Sequence, residues 1–144
     1  MSRIDDIIAD FEFIDDWEER YRYIIELGRG LEPLPDADHT EAHKVRGCAS
    51  QVWLVTHPSV VESQRVLSFV GDSDAHIVRG LVAIVIAIFS EQTPEAILAI
   101  DPEPLFDRLG LREHITPQRS NGVKSMILRI KADAEKARVA APSP

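Results

Sequence analysis

Apolar side chains recur every three or four residues between Trp17 and Gly28, which is the spacing of one helical face. The Asp15-Asp16 pair is expected to open this helix, and Gly28 and Gly30 are expected to end it. A shorter helix is predicted ahead of it, from about Arg3 to Asp10 with Ser2 as its N-cap. The chain is therefore expected to begin with two helices.

The period of the pattern changes after residue 40. Residues 31–40 hold two prolines and several turn-forming residues, so they are expected to form a loop. β-forming residues then cluster at 52–55 and 60–70, with His57-Pro58-Ser59 between them as a predicted turn. Because short turns join antiparallel strands, a small antiparallel sheet is the simplest arrangement.

The second half of the chain has a helical pattern. Residues 75–91 follow the cap-forming stretch Gly71 to Asp74, and their 81–89 section is apolar on every face, which predicts a buried central helix. Two further helices are expected to begin with a proline-containing cap, and a break and one short helical turn lie between them. These are Thr93-Pro94 for a helix to Ile100, Asp101 to Pro104 for the break, Leu105 to Leu109 for the turn, and Thr116-Pro117 for a helix to about Arg138. Helices segregated from a small sheet indicate an α+β fold.

Length and composition narrow the class of protein. A chain of 144 residues predicts one domain over 1–144, with a frayed tail at about 139–144. A net charge of −8 without a basic block argues against nucleic-acid binding. The longest apolar run, at 81–89, is far shorter than the roughly 20 residues that span a membrane, and no signal peptide opens the sequence. A soluble cytoplasmic protein is expected.

Cys48 is the single cysteine of the chain, so no internal disulfide can form. Gly47 leaves backbone space beside its sulfur, Arg46 brings a positive charge, and Ser50 and Gln51 offer hydrogen bonds. These residues place the thiol on a loop or strand edge. Most free cysteines are small buried hydrophobic residues, however, and the residues alone leave that interpretation open.

The segment from Arg46 to Trp53, with the sequence Arg-Gly-Cys-Ala-Ser-Gln-Val-Trp, resembles the Gly-Cys-x-Ser-Gln-Val-Trp motif of the SufE family. The likeness extends over about residues 4–132. Supporting blocks occur in the same order and at the same spacing, at residues 17–21, 23–28, 71–75, 77–81 and 111–122. Ala49 departs from the polar residue that many members carry, at a position that supplies no chemistry.

The resemblance implies a fold like that of the iron–sulfur scaffold proteins and an accessory role in sulfur transfer. Cys48 would accept sulfur as a persulfide from a SufS-type cysteine desulfurase, stimulate that enzyme, and deliver the sulfur to a SufBCD-type scaffold. The protein would not itself be an enzyme and would need no cofactor, because the pyridoxal phosphate belongs to the desulfurase. The alternative is a non-catalytic domain that only activates the desulfurase. The sequence leaves monomer and homodimer open.

Further residues receive roles from the same resemblance. The cysteine loop would tuck the sulfur of Cys48 into an apolar recess and swing outward to meet the partner. Arg46, Gly47, Ser50 and Gln51 would support this loop. Asp74 would help to hold it, although a helix N-cap is an equal alternative. Arg119 would contact the partner, or it is a solvated residue in a first helical turn.

The residues alone suggest three rival functions, and each lacks a group that it needs. A cluster scaffold needs several thiolates, and this chain has one. A metal site would have to use His39, His43 and Cys48. The two histidines lie in an expected loop, not on a clear helix, and zinc usually takes four ligands, or three plus water, so no metal is predicted. A Cys–His hydrolase would need a base within reach of the thiolate, and nothing in the local sequence supplies it.

Overall fold

The computed structural model describes residues 3–48 and 50–140. Seven α-helices, two strands and two short 3-10 turns follow one another along this part of the chain. The helices are α1 Arg3–Phe13, α2 Trp17–Arg29, α3 His76–Phe89, α4 Pro94–Ala99, α5 Glu103–Leu109, α6 Leu111–His114 and α7 Pro117–Ala140; the strands are β1 Val52–Val61 and β2 Gln64–Ser73; the 3-10 turns are Asp36–Asp38 and Glu41–His43. Helices around a two-stranded antiparallel sheet confirm the α+β prediction.

The two strands form one long hairpin, in register from Val52 opposite Ser73 to Val61 opposite Gln64. Its turn is Glu62-Ser63, with φ of 51° and 66°, the geometry of a type I′ turn. The predicted turn at His57-Pro58-Ser59 is wrong, because these residues continue β1. An edge strand tolerates proline, and two positive φ angles on non-glycine residues give no recognisable sequence signal.

Helix α3 is the centre of the hydrophobic core, as its apolar section predicts. It packs against α1, α2, α7 and β2. Seven of its residues are buried, among them Leu81, Val82, Ile84 and Phe89. Its bounds are narrower than predicted: Ala75 is the N-cap residue, and the chain leaves the helix after Phe89. Glu91 has a φ of 62°, which a helix does not allow.

Helices α2 and α3 cross through glycines. A Cβ atom added to Gly80 would lie 2.1 Å from the Ile24 carbonyl oxygen, and one added to Gly28 would lie 2.7 Å from the Gly80 nitrogen. Neither distance is possible for a real side chain. Gly28 is thus a buried contact residue inside α2, and the helix ends at Arg29 with Gly30 as its C-cap.

The remaining helix ends are close to their predicted positions. The Thr93 hydroxyl accepts a hydrogen bond from the Ala96 nitrogen and caps α4 as expected. Helix α1 runs three residues further than predicted, to Phe13, and its expected N-cap, Ser2, lies outside the described residues. Helix α5 begins at Glu103, inside the predicted break, and α6 was not predicted.

The C-terminal tail divides between described and undescribed residues. Residues 139 and 140 belong to α7, and the rest of the segment predicted to fray lies outside the described part of the chain. None of the helices in residues 3–48 and 50–140 combines the length and apolar character that crossing a membrane requires.

Candidate functional site

Cys48 lies on a loop that is closed at its base by pairing with β1. The Val45 nitrogen donates a hydrogen bond of 2.8 Å to the Val52 carbonyl oxygen, and Lys44 forms an isolated antiparallel bridge with Trp53. Because of this pairing, residues 46–48, 50 and 51 lie outside the strand, in a loop. The sequence places the cysteine on a loop or strand edge, and the structure agrees.

Gly47 gives the loop its shape. Its φ is +88°, in the region that only glycine adopts without strain. An added Cβ would lie 2.6 Å from the Ser125 hydroxyl oxygen on α7. Backbone conformation and close packing therefore both require glycine beside the cysteine, and they press the loop against α7.

The thiol of Cys48 points to α7 and is half-buried. Its Sγ donates a weak hydrogen bond to the carbonyl oxygen of Gly122, at a distance of 3.6 Å. A recess of about 20 Å³ adjoins the sulfur, enough for one group the size of a water molecule. The recess walls come from the loop, α3 and α7: Ser50, Val52, Val78, Leu81, Gln118, Arg119, Gly122, Val123 and Met126.

Burial raises the pKa of the Cys48 thiol, because a thiolate loses more solvation than a thiol does. Arg46 does not counter this effect. Its guanidinium lies 3.3 Å from the Glu41 carboxylate, and both side chains are mostly exposed. In this conformation Cys48 is therefore mainly a neutral, half-buried thiol, which is a weaker nucleophile than the thiol of a solvated cysteine.

Asp74 joins the far end of the loop to the start of α3. Its carboxylate accepts hydrogen bonds from the Gln51 backbone nitrogen at 3.1 Å and from the Gln51 side-chain amide at 3.4 Å. The Asp74 nitrogen in turn donates to the Gln51 carbonyl oxygen at 3.3 Å. The N-cap residue of α3 is Ala75, so the alternative role of Asp74 as the N-cap residue is not observed.

Arg119 and Ser50 both line the recess. Arg119 lies in the first turn of α7, where its backbone nitrogen donates to the Thr116 hydroxyl at 3.3 Å. Among the described residues, its guanidinium has no hydrogen bond or ion pair. Arg119 is partly exposed. Its positive charge therefore lies beside the recess and can bind a group from outside the chain.

The histidines named for a rival metal site are engaged elsewhere. His39 bonds through one ring nitrogen to the Asp72 carboxylate at 2.7 Å and through the other to the Pro35 carbonyl oxygen at 3.1 Å. The hydrogen bond to Asp72 raises the pKa of His39. His43 bonds to the Asp38 carbonyl oxygen at 2.9 Å. Residues 3–48 and 50–140 bring no three potential metal ligands together.

A Cys–His hydrolase lacks its base in this geometry. Of the described residues that line the recess, none is a histidine, so no imidazole stands against the sulfur to accept its proton. What the site offers is a thiol on a loop, a glycine carbonyl as its partner, and an apolar recess beside it.

Apart from Arg119, the sequence did not reveal the residues of α3 and α7 that form the recess. Gly122 is the nearest of them, with its hydrogen bond to the thiol, and Val78, Leu81 and Met126 form apolar walls. One signal was present: Gly122 lies inside the long helix α7, where glycine costs about 1 kcal/mol relative to alanine. A glycine at such a position usually marks a close contact.

Comparison with known proteins places this site in a family. A family model described as the SufE Fe-S metabolism associated domain matches residues 5–134. A SufE-like protein of Rhizobium meliloti (strain 1021) is 55% identical over 135 residues, which cover 94% of this chain and 96% of the relative. A SufE-like protein of Rhizobium etli is 54% identical over 135 residues, covering 94% and 91%.

The fold has a counterpart among solved structures. The solution structure of a hypothetical protein from Thermus thermophilus superposes with a TM-score of 0.70 at 24% identity, covering 95% of this chain and 96% of that one. This similarity shows the same fold. Since the family model spans nearly the whole chain and the relatives bear the family's name, the chain belongs to the SufE family, with a role in iron–sulfur metabolism.

Proposed function

We propose that Cys48 is a sulfur carrier, which accepts a sulfane sulfur from a SufS-type cysteine desulfurase and delivers it for iron–sulfur cluster assembly. The observation that supports this most strongly is the position of its sulfur. Sγ is half-buried on a glycine-flanked loop, 3.6 Å from the Gly122 carbonyl oxygen and beside an apolar recess. A cysteine that was only a filler of the core would need neither the loop nor the recess.

The transfer is an exchange at sulfur. The Cys48 thiolate attacks the terminal sulfur of the desulfurase persulfide, a new S–S bond forms on Cys48, and the old S–S bond breaks. The desulfurase cysteine leaves as a thiolate, so no electrons are gained or lost overall. A second attack of the same kind, by an acceptor on a SufBCD-type scaffold, would unload Cys48. The pyridoxal phosphate chemistry stays on the desulfurase.

The recess suits storage of the cargo. Persulfides are lost to reductants and oxidants that reach them, so a dry pocket lengthens their lifetime. Burial also raises the pKa of the Cys48 thiol, which makes the tucked thiol a poor nucleophile. Attack on the partner therefore requires the loop to swing outward, where the thiol regains water and the positive charge of Arg119 stands nearby.

The partner surface follows from the same geometry. A desulfurase persulfide must come within bonding distance of Cys48, so the enzyme must cover the mouth of the recess. Arg119 lines the recess, is partly exposed and has no ion-pair partner among the described residues, and it would contact the enzyme there. The ties of Asp74 to Gln51 would limit how far the loop moves.

The decisive experiment is intact-protein mass spectrometry after incubation with free cysteine and the cognate desulfurase. Wild-type protein should gain whole sulfur atoms that a thiol reductant removes, and Cys48→Ser should gain none. Desulfurase turnover is followed in the same samples, with Glu62→Ala as a control, because Glu62 lies in the hairpin turn and does not line the recess.

Two results would contradict the proposal. Absence of added sulfur on the wild type, with an active desulfurase, would exclude the carrier role. If Cys48→Ser stimulates the desulfurase as strongly as the wild type does, the protein acts as a non-catalytic activator.

A further inference from the structure

Gly122 is at a position where helix α7 would be more stable with alanine. It is the sixth residue of a 24-residue helix, and its φ is not positive, so the backbone does not require glycine. In a helix interior glycine costs about 1 kcal/mol relative to alanine. Something other than backbone conformation must account for the missing side chain.

The space beside Gly122 belongs to Cys48. The three atoms nearest to an added Cβ are Sγ, Cβ and Cα of Cys48, at 3.5, 3.7 and 3.9 Å. These are ordinary van der Waals distances. At Gly28 and Gly80, by contrast, an added Cβ would come within 3.0 Å of backbone atoms. A methyl group at residue 122 could therefore coexist with the Cys48 thiol.

We propose that Gly122 keeps open the space that the terminal sulfur of a Cys48 persulfide enters. This inference rests on the proposed carrier function and makes Gly122 a positioning residue for the cargo. The added sulfur would lie about 2.05 Å from Sγ. The recess offers about 20 Å³, room for one group the size of a water molecule. A methyl group 3.5 Å from Sγ would compete for that room.

Apolar side chains from two helices form most of the remaining wall of the recess, and the polar residues Ser50, Gln118 and Arg119 complete it. Val78 and Leu81 project from α3, and Val123 and Met126 from α7. Leu81 and Met126 are each 2% exposed, so these walls cannot retreat without leaving voids. Since the buried part of the wall cannot move aside, the choice between glycine and alanine at residue 122 would decide how much room a second sulfur has beside it.

The test compares Gly122→Ala with the wild type and with Gly30→Ala. Gly30 is a matched control, since its φ is −84° and an added Cβ would lie 3.5 Å from the Leu27 carbonyl oxygen. Each protein is loaded with inorganic polysulfide, whose chain the Cys48 thiolate cleaves, leaving one sulfur on Sγ and a shorter polysulfide. Persulfide loss to a dilute thiol reductant is then followed by mass spectrometry.

For Gly122→Ala, we expect the persulfide to be lost at least about tenfold faster than from the wild type, because its terminal sulfur stays in water. Iodoacetamide should alkylate the unloaded thiol within about twofold of the wild-type rate, and the melting temperature should not fall. Gly30→Ala should match the wild type in every measurement. Equal persulfide lifetimes in Gly122→Ala and wild type would overturn the inference.

A second variant protects the test against a general packing defect. Val78 is half-buried on the α3 wall of the recess, so Val78→Ala returns space on the α3 side. Gly122→Ala combined with Val78→Ala should recover most of the wild-type persulfide lifetime. If the lifetime stays short in the double variant while the protein remains folded, lost space is not the cause and the inference fails.

The failure of this inference differs from the failure of the proposed function. A wild type that loads from polysulfide but never from the desulfurase contradicts the carrier role, whatever residue 122 does. A wild type that loads from both, with a Gly122→Ala persulfide of equal lifetime, contradicts only the role of Gly122.

Discussion

Two of the contacts that involve glycine in this protein differ in how much room they leave. Where α2 crosses α3, a Cβ on Gly80 would lie 2.1 Å from the Ile24 carbonyl oxygen. Where the cysteine loop meets α7, a Cβ on Gly122 would lie 3.5 Å from the sulfur. The first contact joins two backbones with no space between them, and the second leaves a gap about one atom wide.

The difference matches the work that each contact does. The helix crossing joins two elements of the core, and any displacement there would expose buried residues such as Ile24. The loop is held by the backbone hydrogen bond of Val45 to β1, the Asp74–Gln51 hydrogen bonds, the weak bond from Sγ to Gly122 and the packing of Gly47 against α7. A loop held this lightly can open at modest cost while the helices behind it stay in place.

The largest effect is expected at the crossing. Gly80→Ala should lower the free energy of unfolding by about 3 kcal/mol or more, because the new methyl group overlaps backbone atoms that cannot move aside. Urea denaturation measures this loss, with Gly30→Ala as the matched substitution. A Gly80→Ala protein as stable as wild type would show that the two helices can separate, and the contrast between the contacts would disappear.

The reactivity of the loop should depend strongly on pH. Because burial raises the pKa of Cys48, alkylation by iodoacetamide should rise about tenfold per pH unit up to a midpoint above the usual value of about 8.5. The urea-unfolded chain should show a lower midpoint. The folded state gains stability from the neutral thiol below the unfolded pKa and loses it as pH rises through the folded one. A lower midpoint in the folded protein would mean that the sulfur is not sheltered.

Loosening the loop should have a smaller effect. Asp74→Ala removes the two hydrogen bonds to Gln51, worth about 1 kcal/mol, and should speed alkylation of Cys48 about fivefold. Asp74→Asn keeps a carbonyl acceptor for the Gln51 nitrogen, so its alkylation rate should lie between those of the wild type and Asp74→Ala. If both variants react like the wild type, the tie does not restrain the loop.

The smallest effect is expected from Arg46→Ala. The guanidinium pairs with Glu41 at the surface, and exposed pairs of this kind contribute little. Alkylation of Cys48 at neutral pH should change less than about twofold. A severalfold lower alkylation rate would show that Arg46 reaches the sulfur when the loop opens. Arg46 would then have a direct role in sulfur transfer.

The elements of this fold were predictable where one local pattern decides the structure. The apolar run at 81–89 predicts the buried helix, and Thr93-Pro94 predicts a capped helix start, because each signal lies within a few residues. The hairpin turn was not predictable. Glu62 and Ser63 adopt positive φ without glycine, while Pro58, a common turn residue, lies within the strand.

Only the part of the candidate site that is formed by residues next to Cys48 in the sequence was predictable. The motif around Cys48 identifies the thiol and its loop. The recess brings the thiol against Gly122, 74 residues further along the chain, and against Val78 and Leu81 of α3. Such contacts arise from tertiary packing, and no local spacing encodes them. Burial by these distant residues also raises the pKa of Cys48.

The proline within β1 has a consequence for association between chains. β1 pairs with β2 along one side, and among the described residues the backbone pairing of its other edge is confined to its first residues, opposite Lys44 and Val45. Val60 and Val61, near the tip, are 71% and 53% exposed. An unpaired, apolar edge is a template for aggregation, and a residue without an N–H interrupts that template. Pro58 therefore disfavours pairing of another strand with the free edge of β1. Replacing it with valine should favour edge-to-edge aggregation.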